Sequence, residues 1–214
     1  MTNAAQPSRF VVTGTDTGIG KTVFAAALTA ALGASYWKPV QAGTADEIDA
    51  SVVQRLGQIP ASRIVPSAYT LAMPASPHIA AAAEGVDIRQ RNLGVPDVAG
   101  PLVIEGAGGV MVPLSLRLLQ IDLFAYWSLP VILCARTSLG TINHTLLSLE
   151  ALRRRRVPVI GVAFIGSAEP EVETTITTLG RTRSLGRLPL IEAVDAKRLA
   201  AAFANAFDPA AFPV

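Results

Sequence analysis

Near the start of the chain an apolar strand, a glycine-rich loop and an alanine-rich helix follow one another without a break. Arg9 to Thr13 reads as the strand, Gly14-Thr-Asp-Thr-Gly18-Ile-Gly20-Lys21-Thr22 as the loop, and Lys21 to Leu32 as a helix stopped by Gly33. In such a loop, backbone N–H groups cradle phosphate oxygens and the helix N-terminus adds a favourable dipole. Lys21 neutralises charge, and Thr22 offers a hydroxyl to magnesium. The general template places a glycine where Thr15 stands, and here Gly14 lies one position earlier. The strand and helix around the loop favour phosphate binding over an ordinary tight turn. Lys-Thr at a helix start suits phosphoryl transfer better than a dinucleotide turn.

The same alternation recurs. Strands are expected over Tyr36 to Val40, Pro101 to Glu105, Pro130 to Ala135 and Val157 to Phe164. Helices are expected over Asp46 to Leu56, Ile121 to Trp127 and Thr141 to Arg156. Strands that are apolar at consecutive positions and alternate with helices indicate an α/β fold, a doubly wound, mostly parallel sheet with helices on both faces. The stretch from Ala61 to Gly100 is less regular, with Pro66, Pro74, Pro77 and Pro96 and a short helix near His78 to Ala83. A final helix is expected from Val194 to Asn205. The organisation read from this is a flexible tail over residues 1–8 and a single nucleotide-binding catalytic domain over residues 9–214.

Half of the 214 residues are hydrophobic and 16% are charged, which places the chain among folded domains. Its apolar runs are far shorter than the roughly 20 residues that cross a bilayer. Residues 1–8 show no signal-peptide pattern, so no membrane and a cytoplasmic location are expected. The single Cys134, within an apolar run, fits a reducing compartment and reads as buried packing rather than a reactive thiol. Net charge is only +2, and Arg153 to Arg156 reads as a solvated helix end rather than a nucleic-acid patch. His78 and His144, the only histidines, have no neighbouring ligand or carboxylate and read as structural.

Magnesium takes few carboxylates and keeps phosphate and water for the rest. Glu105, at the end of its strand and opening Gly106-Ala-Gly-Gly109, emerges where the phosphates lie and reads as a metal ligand. Asp49 reads either as a second ligand or as part of an acidic helix start with Asp46 and Glu47.

Several segments together resemble the dethiobiotin synthetase family: Gly14-Thr-Asp-Thr with Gly20-Lys-Thr22, Trp37-Lys38-Pro39-Val40, Ser76-Pro77-His78-Ile79, Glu105-Gly-Ala-Gly-Gly109, and Leu139-Gly140-Thr141-Ile142-Asn143-His144. The resemblance implies ATP-dependent carboxylation and ring closure of 7,8-diaminopelargonate with carbon dioxide or bicarbonate, giving dethiobiotin through a carbamate and a carbamic-phosphoric anhydride. It implies that Lys38 and Lys21 are catalytic and that Thr22, Asp49 and Glu105 hold magnesium. Gly18, Ile19, Gly20, Lys21, Thr22, Val23, Asp49, Glu105, Gly106, Ala107 and Gly108 would contact the nucleotide, with Pro189, Leu190 and Ile191 near its base. Thr17, Lys38, Ala42 and Thr44 would face the substrate. Leu139, Gly140, Thr141 and Asn143 would hold its carboxylate from the other subunit of a homodimer, at a helix N-terminus.

Two departures stand out. Ala42 occupies a position where the family usually has a hydroxyl, and Thr44 is its nearest substitute. Ile165-Gly166 replaces a pair that reads the adenine edge, so ATP and other nucleoside triphosphates are all expected to serve as co-substrate. An amidating ligase of the cobalamin pathway is the first alternative, and the expected glutaminase domain with its cysteine is missing from the pattern. A partitioning or positioning ATPase is the second. Such proteins carry an extra lysine where Thr15 and Asp16 stand, and a membrane tail or basic surface as well.

Overall fold

The computed structural model describes residues 8–45 and 47–212. Residues 1–7 of the expected tail therefore lie outside the described residues. Ser8, its last member, already accepts a hydrogen bond from Leu102 N at 2.9 Å.

Along the chain the elements are β1 (Arg9–Gly14), α1 (Lys21–Ala31), β2 (Ser35–Trp37), β3 (Val40–Ala42), α2 (Asp49–Gly57), β4 (Ile64–Val65) and β5 (Tyr69–Leu71). They continue with α3 (Pro77–Ala83), β6 (Leu102–Gly109), β7 (Pro113–Ser115), β8 (Leu118–Leu119), α4 (Gln120–Trp127) and β9 (Val131–Arg136). The last are α5 (Thr141–Arg154), β10 (Val159–Ile165), α6 (Pro170–Leu179), β11 (Ser184–Leu188) and α7 (Ala196–Ala206). Seven strands form one sheet in the order β11-β10-β9-β1-β6-β2-β4, and each neighbouring pair is parallel. The doubly wound expectation holds. All the carboxyl ends lie on one edge, with β1 at the centre, where the chain order reverses and ligands bind in such sheets.

The unbroken apolar strands follow from burial on both faces. Phe10 and Val12 of β1 pack with Phe24 and Leu28 of α1, Val53 of α2 and Phe203 of α7. Val11, between them, points the other way, into a second core with Phe124 of α4, Leu149 and Leu152 of α5 and Ile176 of α6. Rings of Phe24, Phe203, Phe207 and Phe212 make stacked, tilted and edge-to-face contacts at centroid separations of up to 6.4 Å and fasten the last helix over the sheet.

Several boundaries differ from the sequence reading. The strand expected over Tyr36 to Val40 is two strands in two sheets. β2 ends at Trp37, Lys38-Pro39 steps out of the ladder because proline has no N–H to donate, and β3 pairs with β5 instead. The helix expected from Asp46 begins at Asp49, with Asp46 itself outside the described residues. α5 ends at Arg154, since Arg156 turns to φ +55° before Pro158. β10 then begins at Val159 rather than Val157. β6 runs four residues past its expected end at Glu105, to Gly109. α6 and β11 were not foreseen. Four of the ten residues of α6 are threonine, and Gly186 interrupts β11, so neither shows the usual propensity of its type.

Candidate active site

The loop after β1 depends on glycine for its backbone path. Gly18 and Gly20 take φ +70° and +95°, a region that glycine enters without penalty. At Gly14 an added Cβ would lie 2.4 Å from Ile19 Cδ1, so a larger residue there would have to displace Ile19. Thr15, where a glycine was expected, keeps a negative φ and bonds through its N–H to Cys134 O at 3.1 Å, which any residue can do. Gly20 caps α1 without a side-chain hydrogen bond, leaving the first-turn N–H groups pointed at the loop.

Side chains converge beside this loop from α1, α2, β2, β3 and β6 and from the step after β2. Thr22, on the first turn of α1, has its Oγ1 2.8 Å from Asp49 Oδ1 and 2.8 Å from Glu105 Oε1. Asp49 opens α2, and Gln41 sets its position by accepting Asp49 N–H at 3.3 Å while donating to the Ala42 and Gly43 carbonyls. Lys38 Nζ is paired with Asp49 Oδ2 and lies 3.4 Å from Glu105 Oε1. The Tyr36 hydroxyl donates to Glu105 Oε2 at 2.8 Å. Lys21 Nζ donates to the Asp16 carbonyl at 2.7 Å.

Glu105, Lys21 and Lys38 are buried, at 1%, 6% and 7% exposure. Glu105 lies within β6 rather than at its end, paired in register with Val12, and the ladder slips before Gly14 meets Gly109. The glycines after it loop outward there, which is why the strand outlasts its apolar run.

Two ammonium groups face two carboxylates, so the buried cluster balances its own charge. Burial pushes the Lys38 ammonium down, but the Glu105 and Asp49 carboxylates outweigh this and hold it above the ordinary lysine value. Burial lifts the Asp49 carboxyl, and Lys38 with the Thr22 hydroxyl brings it below its usual range. Lys21, without so close a carboxylate, is lowered by burial. Burial, followed by the charge of Glu105, raises the Tyr36 phenol well above its normal value. Cys134 is buried in β9, and burial raises its thiol too, as expected of a packing residue.

Thr22 Oγ1, Asp49 and Glu105 form a hard-oxygen set of the kind that suits magnesium when phosphate and water complete the shell. Among the described residues no cluster of three or more His, Cys, Asp or Glu is placed to hold a metal. Three residues that sequence reading passed over support this site: Tyr36, Gln41 and Gln120. Gln120 is buried, accepts Ala107 N–H at 2.5 Å and donates to Gly109 O at 3.1 Å. Residue 106 is glycine, and an added Cβ there would lie 2.9 Å from Gln120 Nε2 and displace the amide that makes these bonds. A lone glutamine at a helix start gave no signal of this.

On one side of the loop lies a cleft of about 450 Å³, lined by Gly18, Ile19, Gly20, Val23, Ile165 and Gly166 and closed by Leu188 to Ile191. The Gly166 N–H bonds to Leu188 O, and its carbonyl accepts from Arg187. On the other side, a cleft of about 370 Å³ is lined by Thr15 to Thr17, Gly109 to Pro113, His144 and Leu147. Ala42 and Thr44 are half-buried beyond Lys38. Leu139 to Asn143 do not join the lysines. They follow β9, three strand positions from β2, on the order of 14 Å away. Leu139 is fully exposed, and Gly140 caps α5 at φ +92° with no side-chain cap, as Gly20 does at α1.

The AAA domain family matches residues 8–198. The chain is 60% identical to the ATP-dependent dethiobiotin synthetase of Rhodopseudomonas palustris (strain TIE-1), over 96% of this chain and 97% of that one. It is 58% identical to the enzyme of the same name from Brucella ovis, over 94% of each. Among solved structures, a ParA family ATPase from Chlorobium tepidum shares 11% identity at a TM-score of 0.57, covering 91% of this chain and 96% of that one, a likeness of fold alone.

Proposed function

The chain belongs to the dethiobiotin synthetase family, and from that premise we propose that it closes the cyclic urea of dethiobiotin. The substrates are 7,8-diaminopelargonate, carbon dioxide and ATP. The observation that carries the residue roles is the buried convergence of Lys38, Asp49, Glu105 and Thr22 beside a phosphate loop.

One amine of the substrate adds to carbon dioxide and loses a proton, giving a carbamate. A carbamate oxygen attacks the γ-phosphorus of ATP, and ADP leaves. The second amine then attacks the carbonyl carbon, closing the ring and expelling phosphate. The substrate supplies both nucleophiles, so the protein's contribution is alignment and stabilisation of charge. Lys21 and Lys38 supply positive charge to the carbamate and the transferring phosphoryl group. Backbone N–H groups from Gly18 to Val23 hold phosphate oxygens, and Gly106 to Gly108, fixed by Gln120, lie along them. Thr22, Asp49 and Glu105 would hold magnesium, which when bound neutralises phosphate charge.

The cleft closed by Pro189, Leu190 and Ile191 takes the base. Most of its lining surface is apolar, with Arg136, Thr137, Ser138, Ser167 and Glu169 as its polar side chains, and the sheet already engages the polar backbone of Gly166. It therefore holds a base by shape and tolerates other nucleoside triphosphates beside ATP. Thr17 faces the amines in the opposite cleft, and Thr44 takes the role of the hydroxyl replaced at Ala42. The uncapped α5 N-terminus of a second copy, at Leu139, Gly140, Thr141 and Asn143, receives the substrate carboxylate, which makes the enzyme a homodimer. No helix among the described residues is long and apolar enough to cross a membrane, and we place the enzyme in the cytoplasm.

The test is direct. Protein supplied with diaminopelargonate, bicarbonate, magnesium and ATP should form dethiobiotin, identified by mass, and Lys38→Ala and Glu105→Ala should lose it. Absence of product with the wild-type chain across several nucleotides would overturn the proposal.

A further inference from the structure

Glu105 has no solvent to satisfy it: its side chain is fully buried. A buried carboxylate needs a partner at each oxygen. Oε1 receives Thr22 Oγ1 at 2.8 Å and lies 3.4 Å from Lys38 Nζ. Oε2 receives the Tyr36 hydroxyl at 2.8 Å.

The pairing follows from the sheet. β2 runs beside β6 with Tyr36 opposite Val103. Glu105, two residues further on, points to the same face as Val103 and is the diagonal neighbour that an aromatic side chain reaches. Tyr36 is itself wholly buried, packed in the core beneath α1 with Val103 and Phe24. A phenylalanine would fill that space equally well, and only the hydroxyl distinguishes the two residues.

The last torsion of a glutamate is broad and two-fold, so packing alone does not decide which oxygen faces α1. We propose that Tyr36 is a positioning residue for the proposed magnesium-dependent reaction. Its hydroxyl ties down Glu105 Oε2 so that Oε1 is presented to Thr22 and the metal. The inference rests on the functional reading above for the identity of the metal, and on the geometry alone for the contact.

The test compares wild type with Tyr36→Phe and with a chain carrying p-aminophenylalanine at position 36, which retains a donor. Free Mn2+ is titrated by its spin resonance signal in the presence of ADP, and dethiobiotin formation is followed against Mg2+ concentration. In Tyr36→Phe, Mn2+ binding weakens about tenfold or more and the Mg2+ requirement rises in step. Binding of metal-free ADP and the KM for diaminopelargonate stay within about twofold, and the amino analogue recovers most of the loss. An unchanged Mn2+ midpoint overturns the assignment, as does a lower melting temperature with no change in metal binding, because a hydroxyl that only stabilises the fold gives that result. A wild-type protein that binds Mn2+ with ADP yet makes no dethiobiotin would overturn the reaction instead, and the Mn2+ titration would still decide the role of Tyr36.

Discussion

Replacing Lys38 with methionine separates what this side chain does for the fold from what it does for the reaction. Methionine keeps most of the stem and removes the charge. The buried cluster of Lys21, Lys38, Asp49 and Glu105 then holds one positive and two negative groups. Both carboxylates stay within 2.8 Å of the same Thr22 hydroxyl, which has a single proton to offer. Removing one member of a buried pair costs about 3–5 kcal/mol. The Asp49 side chain is 26% exposed, which favours the lower end, about 3 kcal/mol. For a chain of this length each kcal/mol lowers the melting temperature by about 2–4 °C, so Lys38→Met should melt roughly 6–12 °C below wild type without magnesium. Magnesium with ADP brings cationic charge to the same oxygens and should return much of that difference, whereas dethiobiotin formation stays lost because the reacting groups still lack the ammonium. The assay is thermal unfolding by circular dichroism at neutral pH with and without Mg2+ and ADP, beside product detection. A wild-type melting temperature without metal would refute the ion-paired cluster, and retained turnover would refute the role of Lys38 in the chemistry.

The acid limb of stability should report Asp49. Its carboxyl lies below the ordinary value of 3.8 in the fold, so its contribution is present above that pH and is lost as pH falls through the lower folded value. Asp49→Asn should flatten the loss of stability below about pH 4 in urea titrations. CTP and GTP should support kcat/KM within about tenfold of ATP, since discrimination by shape in an apolar cleft is modest, and strict dependence on ATP would overturn that account. Mixing Lys38→Ala with Gly140→Asp subunits should recover about a quarter of wild-type activity through hybrid dimers with one complete site each. No recovery after subunit exchange would place the whole site within one chain.

What the sequence made legible follows from how local each signal is. The phosphate loop needs adjacent residues with particular backbone angles, and Gly18, Gly20, Lys21 and Thr22 carry that information within a few positions. The α/β class was equally plain, because strands such as Phe10 to Val12 must fill a core on each face and show it as an unbroken apolar run. Asp49 was open to a bland reading because what it meets comes from elsewhere in the chain, and only the order β1-β6-β2 in the sheet brings Glu105 between Thr22 and Tyr36. The break at Lys38-Pro39 was visible as a proline, yet its consequence was not. By ending β2 at Trp37 and starting a second sheet at Val40, it lifts Lys38 out of the ladder toward the carboxylates. Tyr36, Gln41 and Gln120 left no trace at all, since a tyrosine in an apolar strand and a glutamine at a helix start have ordinary local reasons to be there. Each acts on a residue that was legible, namely Glu105, Asp49 and the Gly106 to Gly109 loop. The phosphate loop was therefore readable from neighbouring residues, while the side chains that meet from separate strands and helices became readable only once the strands were set side by side.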